Sequence, residues 1–371
     1  MTKYEAGIAG ALDKIERVRQ VRRHKYYLRD EHITLSHGSG GKATQNLIEG
    51  VLRSGFSNPV LDQLDDSAVF VVDGFPEAGP QQRVAFTTDT YVVSPLFFPG
   101  GDIGKLAVHG TINDLAMVGA EPLHLSAAFI LEEGFPIDDL RKIVESMAEA
   151  TSTAGVTIVT GDTKVVERGK ADKLFINTAG VGVVRHPWMI SQMQAQAGDK
   201  VLLSGPVGDH GIAIMMAREA LDIEVDIESD TAPLHAMVAS LLQAVGEAVH
   251  CLKDPTRGGI ATTLNEIAVA SEVAIALDER AIPVRMEVRG VCEILGLDPL
   301  TIANEGKLLA IVAPETAGAA LETIRSHPLG REAAIVGEVC AEPAAMVFLR
   351  TDIGGTRVLD MLVGDPLPRI C

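Results

Sequence analysis

A chain of 371 residues with 47% hydrophobic content is long enough for two domains with sizeable cores. Its net charge of −18 excludes nucleic acid and anionic membrane as main partners, because a binder of phosphate backbones needs a basic surface. Four widely spaced cysteines (Cys251, Cys292, Cys340, Cys371) form no CxxC pair, no apolar run reaches ~18 residues, and the N-terminus lacks a signal-peptide core, so a cytoplasmic enzyme without a disulfide framework or zinc site is expected.

Residues 1–31 read as a basic leader on this acidic protein, with Lys14, Arg17, Arg19, Arg22, Arg23, Lys25 and Arg29 clustered and Ile15, Val18 and Val21 at helical spacing. From His32 the pattern is α/β. Residues 33–35 read as a strand before the turn 37–42, and 43–53 as a helix. Strands follow at 68–72 and 84–88, then a helix at 102–118, a strand at 123–130, a helix at 137–154 and strands at 156–160 and 174–184. This gives an N-terminal domain over 32–190.

Residues 192–198 read as a linker into a C-terminal α/β domain over 198–350. It opens with a strand at 201–203 and a glycine-rich turn at 204–211. Helices are expected at 212–219, 234–248, 259–270 and 316–326, with strands at 273–277, 308–312, 334–339 and 345–349. Residues 351–371 form a tail. The order strand, helix, strand recurs in both halves and suggests two related α/β units.

Several patterns carry chemistry. The turn His37–Lys42 supplies glycines whose N–H groups can converge on an anion, yet it lacks the GxxxxGK[ST] spacing and, taken alone, reads more readily as an ordinary turn. Asp65, Asp66, Asp89, Asp162 and Asp254 stand beside predicted strands or in turns, and Asp114 lies in the predicted helix 102–118. Each alone is a cap or turn residue; together they suit a Mg²⁺–nucleotide site, since Mg²⁺ takes a few carboxylates plus phosphates. Asp102, Lys105, His109 and Asn113 share one helix face, either a solvated stripe or a wall of that site. Glu305, in Asn304-Glu305-Gly306-Lys307, either satisfies backbone donors of its turn or acts as a general base.

The last eight residues, Gly364-Asp-Pro-Leu-Pro-Arg-Ile-Cys371, contain two prolines at alternate positions and so favour an extended backbone. Fully extended they reach roughly 26–29 Å. A frayed end and a stiff arm with a thiol at its tip both remain open. Arg369 and the terminal carboxylate act oppositely on that thiol, so no extreme shift of its pKa is expected.

The blocks His37-Gly-Ser-Gly-Gly-Lys42, Leu64-Asp-Asp-Ser-Ala68, Thr87-Thr-Asp-Thr90, Asn113-Asp-Leu-Ala-Met117 and Gly161-Asp-Thr-Lys164 resemble the nucleotide-binding segments of the PurM-like superfamily. That superfamily includes aminoimidazole ribonucleotide synthetase, selenophosphate synthetase and thiamine monophosphate kinase. With the terminal Pro368-Arg-Ile-Cys371, the chain is similar over roughly 32–371 to the hydrogenase-maturation carbamoyl dehydratases. The resemblance implies a two-domain fold, a homodimer joined by a β-barrel of N-terminal domains, and ATP with Mg²⁺.

It further implies that a carbamoyl group, loaded on Cys371 by the carbamoyltransferase HypF, is dehydrated to a thiocyanate. The cyano group then passes to a HypC–HypD scaffold for the [NiFe]-hydrogenase iron. By position, Asp66, Asp89, Asp114 and Asp254 would bind metal; Lys42, Asp66, Asp89, Asn113, Asp114 and Asp162 would bind nucleotide; and Lys164 and Glu305 would act beside Cys371. Two rivals are a small-molecule kinase or ligase of the same superfamily and a non-catalytic carrier of a one-carbon ligand. A selenophosphate synthetase is disfavoured, since no cysteine precedes Cys251.

Overall fold

A computed structural model describes residues 30–72, 82–218, 225–364, 367 and 369–371. Nearly all of the expected basic leader falls outside the described residues. The expected strand at 33–35 does not form; Thr34 instead caps a 3₁₀ turn, Leu35–Gly38, by exchanging hydrogen bonds with His37.

The first sheet holds β1 (Ala68–Val72), β2 (Gln82–Tyr91), β5 (Ala120–Glu132), β6 (Thr157–Val166) and β7 (Leu174–Val184), ordered β1-β2-β7-β5-β6. β3 (Phe97–Phe98) and β4 (Gly101–Asp102) make a separate ribbon. All pairings in the five-stranded sheet are antiparallel except β5 with β6. β7 alternates buried and half-buried residues along its whole length, the period-2 signature of a sheet with one face on a core.

The helix Ile103–Met117 lies on that inner face. Gly180 permits the close approach, since a Cβ there would stand 2.8 Å from Thr111 Cγ2. Every residue of this helix is buried except Lys105 and Asp114, so a solvated stripe is ruled out. Asp102 caps it, accepting from the N–H groups of Gly104 at 2.7 Å and Lys105 at 3.2 Å. A second helix, Ile137–Ala154, buries Ile143, Met147, Ala150, Thr151 and Ala154 along one stripe and ends at the left-handed Gly155.

The second sheet is ordered β14-β13-β10-β12-β8-β11-β9, built from β8 (Lys200–Leu203), β9 (Val249–Lys253), β10 (Ala274–Asp278), β11 (Leu309–Val312), β12 (Ala334–Cys340), β13 (Met346–Arg350) and β14 (Thr356–Leu359). Only β10 and β13 pair in parallel. β9, β14 and the helix Met286–Leu295 were not anticipated. β9 follows the helix His235–Val245 with only Gly246–Ala248 between, so its apolar residues continue the helical pattern in sequence. Within the expected tail 351–371, residues Thr356–Leu359 pair with β13 as β14.

The two sheets are joined by the buried helix. Its Ala116 and Met117 pack with Leu234, Met237, Val238 and Leu241 of the second half. Burying one such Leu contributes ~1.5–3 kcal/mol, so the seam belongs to the core. Among the described residues no helix is long and apolar enough to cross a membrane.

Candidate active site

Chain ends and turns converge where the two sheets meet. Asp66 enters β1, and Thr87, in β2, ties it to the central helix. The Thr87 hydroxyl lies 2.8 Å from an Asp114 carboxylate oxygen and 3.0 Å from the Asp66 carbonyl. Asp89 stands two residues further along β2, on the same face as Thr87. From the other half, β9 delivers Lys253 and Asp254, and the turn before β11 delivers Glu305.

These carboxyls sense one another. Burial, then the charges of Asp254, Asp89 and Asp66, push Asp114 well up. Burial and Asp66 push Asp254 up to about 8. Burial, with Asp254, Asp89 and Asp230 behind it, raises Glu305 well above the usual carboxylate range. Lys253 is buried between Asp66 at 3.0 Å and Glu266 at 3.1 Å; burial alone would lower its pKa, and the two carboxylates outweigh that.

Glu305 is not serving its turn. The neighbouring Asn304 does so, accepting from Gly208 N–H at 2.7 Å and donating to the carbonyls of Pro255 and Ile302. Glu305 is only 2% exposed, and its Oε1 has no hydrogen-bond partner. A buried, unpartnered carboxyl oxygen is costly to maintain and marks a functional position.

The thiol of Cys371 reaches this carboxyl. The tail is docked, not frayed: Ile370 and Cys371 are buried, Val92 N–H donates to the Cys371 carbonyl at 3.2 Å, and Ser94 N–H donates to the Arg369 carbonyl at 3.2 Å. Burial pushes the thiol well up in pKa, Arg257 pulls it back, and Glu305 and Asp89 push it further. This corrects the expectation of no extreme shift. Arg369 does not face the thiol; its guanidinium donates to the Val92 carbonyl at 2.8 Å, pairs with Asp172 and lies over the Phe175 ring.

Arg257 is the cation that sequence reasoning missed. It donates to the Gly38 carbonyl at 3.0 Å, and with Gly38, Ser39, Leu367, Ile370 and Cys371 it lines a cavity of about 50 Å³ beside the thiol. The glycine turn is shaped by this contact: a Cβ on Gly40 would meet Arg257 Cβ at 2.6 Å, and one on Gly41 would meet the Leu362 carbonyl oxygen at 2.2 Å. Arg257 could have been flagged from the charged run Lys253-Asp254-Pro255-Thr256-Arg257, which keeps cations beside an acidic site residue.

Other expected residues lie elsewhere in this protomer. Lys42 is exposed and pairs with Asp360 at 2.6 Å. Asn113 is fully buried and spends its amide on backbone, donating to the carbonyls of Ala232 and Glu305 and accepting from Leu234 N–H. It therefore holds the Glu305 turn. His109, kept below the usual histidine range at about 3 mainly by burial, meets the Thr231 hydroxyl at 3.2 Å. Asp162 and Lys164 pair with each other at 2.8 Å on β6, both exposed. Three strand steps separate β6 from β2, roughly 14 Å of sheet.

A set of oxygen-only donors, in which the charges of Asp66 and Asp89 add to burial in raising Asp114 and Asp254, fits a hard divalent cation. Among the described residues, however, no three His, Cys, Asp or Glu side chains converge closely enough to form a metal site by themselves.

Comparison with known proteins places this arrangement. The AIR synthase related protein family matches through its N-terminal domain over residues 64–184 and its C-terminal domain over 196–349. Carbamoyl dehydratase HypE of Azotobacter vinelandii is 56% identical over 344 residues, covering 93% of this chain and 98% of that protein. The chain belongs to the HypE family of carbamoyl dehydratases.

It is accordingly an enzyme of hydrogenase maturation. A HypE–HypF complex superimposes with a TM-score of 0.80 at 48% identity, covering 85% of this chain and 99% of that one. HypE in complex with ATP superimposes with a TM-score of 0.76 at 48% identity, covering 92% of this chain and all of the other. The α/β architecture in two halves, expected from sequence, is thus the HypE architecture.

Proposed function

We propose that this HypE-family chain dehydrates an S-carbamoyl group on its own Cys371, at the expense of ATP, to an S-cyano group for the [NiFe]-hydrogenase iron. The observation that carries the reading is the burial of the chain's last side chain between the buried carboxyl of Glu305, whose Oε1 has no hydrogen-bond partner, and a guanidinium, Arg257.

A thiocarbamate oxygen is a poor leaving group. Transfer of the ATP γ-phosphoryl group to that oxygen, with release of one N–H proton, gives S–C(=NH)–O–phosphate and ADP. Loss of the remaining N–H proton with departure of phosphate then leaves S–C≡N. The atoms balance as thiocarbamate plus ATP giving thiocyanate, ADP and phosphate. Glu305 receives the proton, and Arg257 faces the negative charge that develops on the departing oxygen. Because Cys371 is tethered and docked, the reacting carbon is held in one place.

Asp66, Asp89, Asp114 and Asp254 are the residues that would hold Mg²⁺ with the ATP phosphates, and such a cation supplies electrostatic stabilisation of the transferring phosphoryl group. Burial is the main reason that Glu305 holds its proton; neutralising Asp254 and Asp89 would lift the part of that rise due to charge.

The same reading takes 32–190 as the ATP-binding and dimerising unit, 198–350 as the C-terminal domain and 351–371 as the carrier tail of a cytoplasmic protein. The edge strand β6, exposed along nearly all its length with Val159 and Val165 among its exposed residues, supports a homodimer. Across it, a second copy would bring its Lys164 and Asp162 toward this protomer's site. HypF would load Cys371, as the solved HypE–HypF pair supports, and HypC–HypD would take the cyano group.

Nuclear magnetic resonance on protein carrying a ¹³C-carbamoyl group tests the chemistry. ATP should convert the thiocarbamate carbon signal into a thiocyanate signal. ATP hydrolysis with an unchanged carbon signal would favour a mere carrier.

A further inference from the structure

The docked tail is held by an imidazole that the reaction itself does not use. His210, in the helix Asp209–Met216, is fully buried. Its Nε2 lies 2.9 Å from the Ile370 carbonyl oxygen, and its Nδ1 lies 2.7 Å from the Ser229 hydroxyl. A carbonyl oxygen only accepts, so Nε2 carries the proton; Nδ1 then accepts from Ser229. Ser229 is itself fixed, its oxygen accepting from Thr231 N–H at 3.2 Å. The ring stands edge-on to Phe98, with centroids 5.7 Å apart.

The segment behind His210 also holds Glu305. Asp230 accepts from the Glu305 N–H at 2.9 Å and pairs with Lys307 at 3.0 Å. Ala232 N–H donates to the Glu305 carbonyl. Residues 229–232 thus grip the tail through His210 with one arm and the Glu305 turn with the other. On the far side of the tail, Arg218 donates to the Arg369 carbonyl and to the Ser94 carbonyl, each at 2.9 Å.

We propose that His210 is the positioning residue that docks the C-terminal arm, donating from Nε2 to the Ile370 carbonyl so that Cys371 is registered against Glu305. Burial holds the ring below the usual histidine range, which keeps it neutral with a single proton to place. Arg369 anchors the arm by its ion pair with Asp172, whereas the His210 contact at Ile370, next to the thiol, is a neutral hydrogen bond to backbone, which releases more readily than an ion pair. The catalytic consequence rests on the dehydratase reading; the docking does not.

The test uses the full unloaded chain without ATP. Maleimide labelling of Cys371 is read on the C-terminal peptide by mass spectrometry, with half-buried Cys340 as internal reference. His210→Ala should raise Cys371 labelling about tenfold, the scale of one buried hydrogen bond, with Cys340 unchanged. His210→Gln, whose amide can donate to the same carbonyl, should restore most of the protection. Ser229→Ala, which leaves the imidazole in place but removes its Nδ1 donor, should raise labelling by a smaller factor. Equal labelling of wild type and His210→Ala, or equal exposure in the Ala and Gln variants, overturns the proposal. So does unchanged labelling in Ser229→Ala. In carbamoyl-loaded protein, His210→Ala should slow dehydration with the KM for ATP unchanged; slow dehydration with Cys371 still protected would also contradict it.

Discussion

The backbone N–H of Val92 donates to the carbonyl of Cys371 at 3.2 Å, which fastens the last residue of the chain just past the end of β2. Asp89 and Tyr91 precede Val92 on that strand. Docking the tail and presenting the acidic cluster are therefore consequences of the same strand, and the thiol arrives with Glu305 already beside it.

Glu305→Gln should separate the chemistry from everything before it. The variant should bind ATP and accept the carbamoyl group, then stall with that group on Cys371, slowed by ~10²–10⁴ as for loss of a general base. Because Glu305 Oε1 has no partner and the carboxyl is strained by its neighbours, thermal stability should hold or rise. Normal cyanide formation would remove Glu305 as the base, and a large fall in Tm would make it structural.

Lys253 is the buried counter-charge of the site. Lys253→Met leaves Asp66 and Glu266 unpaired and should cost ~3–5 kcal/mol by chemical denaturation. Adding Glu266→Gln should recover part of that loss. If the single variant unfolds like wild type, the ion pair is not holding β9 against β1.

The placement of Lys164 on β6 bears on the dimer. If the chain dimerises as proposed, mixing Cys371→Ala with Lys164→Ala protein makes mixed dimers in which one copy contributes the lysine and the other the thiol. If Lys164 acts across the interface, exchange should restore about a quarter of wild-type cyanation, since half the dimers are mixed and each has one complete site. No recovery in verified mixed dimers would confine Lys164 to its own protomer or to no role.

A histidine away from the site gives a pH test of the linker. His250 Nδ1 lies 2.7 Å from Asp199, and that hydrogen bond raises its pKa when folded. The resulting stabilisation is complete below the unfolded value near about pH 6.5 and is lost as pH rises through the higher folded value. The Tm gap between wild type and His250→Asn should thus be larger at pH 6 than at pH 9. An equal gap at both would show that the charge is irrelevant.

Much of this was legible from residues alone because local patterns agree with the fold. The strand expected over 174–184 forms as β7, and Cys371 reaches the region of Asp89 and Glu305. What escaped depends on long-range partners. The polar face of the Ile103–Met117 helix looks like a solvated or ligand-lining stripe, yet Asn113 is satisfied by Ala232, Leu234 and Glu305, more than 100 residues away. Lys164 and Asp162 look like site residues by motif, but only sheet order reveals that β6 lies three strands from β2. The charged run 253–257 points to Arg257, but its place beside the thiol shows only when Cys371 folds back against it.

The central claim is chemical and local to the last residue. Carbamoyl-loaded protein is incubated with ATP and its C-terminal peptide is weighed, with Cys371→Ala as control. The account predicts a loss of one water, roughly 18 Da, from the loaded peptide. Continued ATP turnover with the carbamoyl mass intact on Cys371 would contradict it.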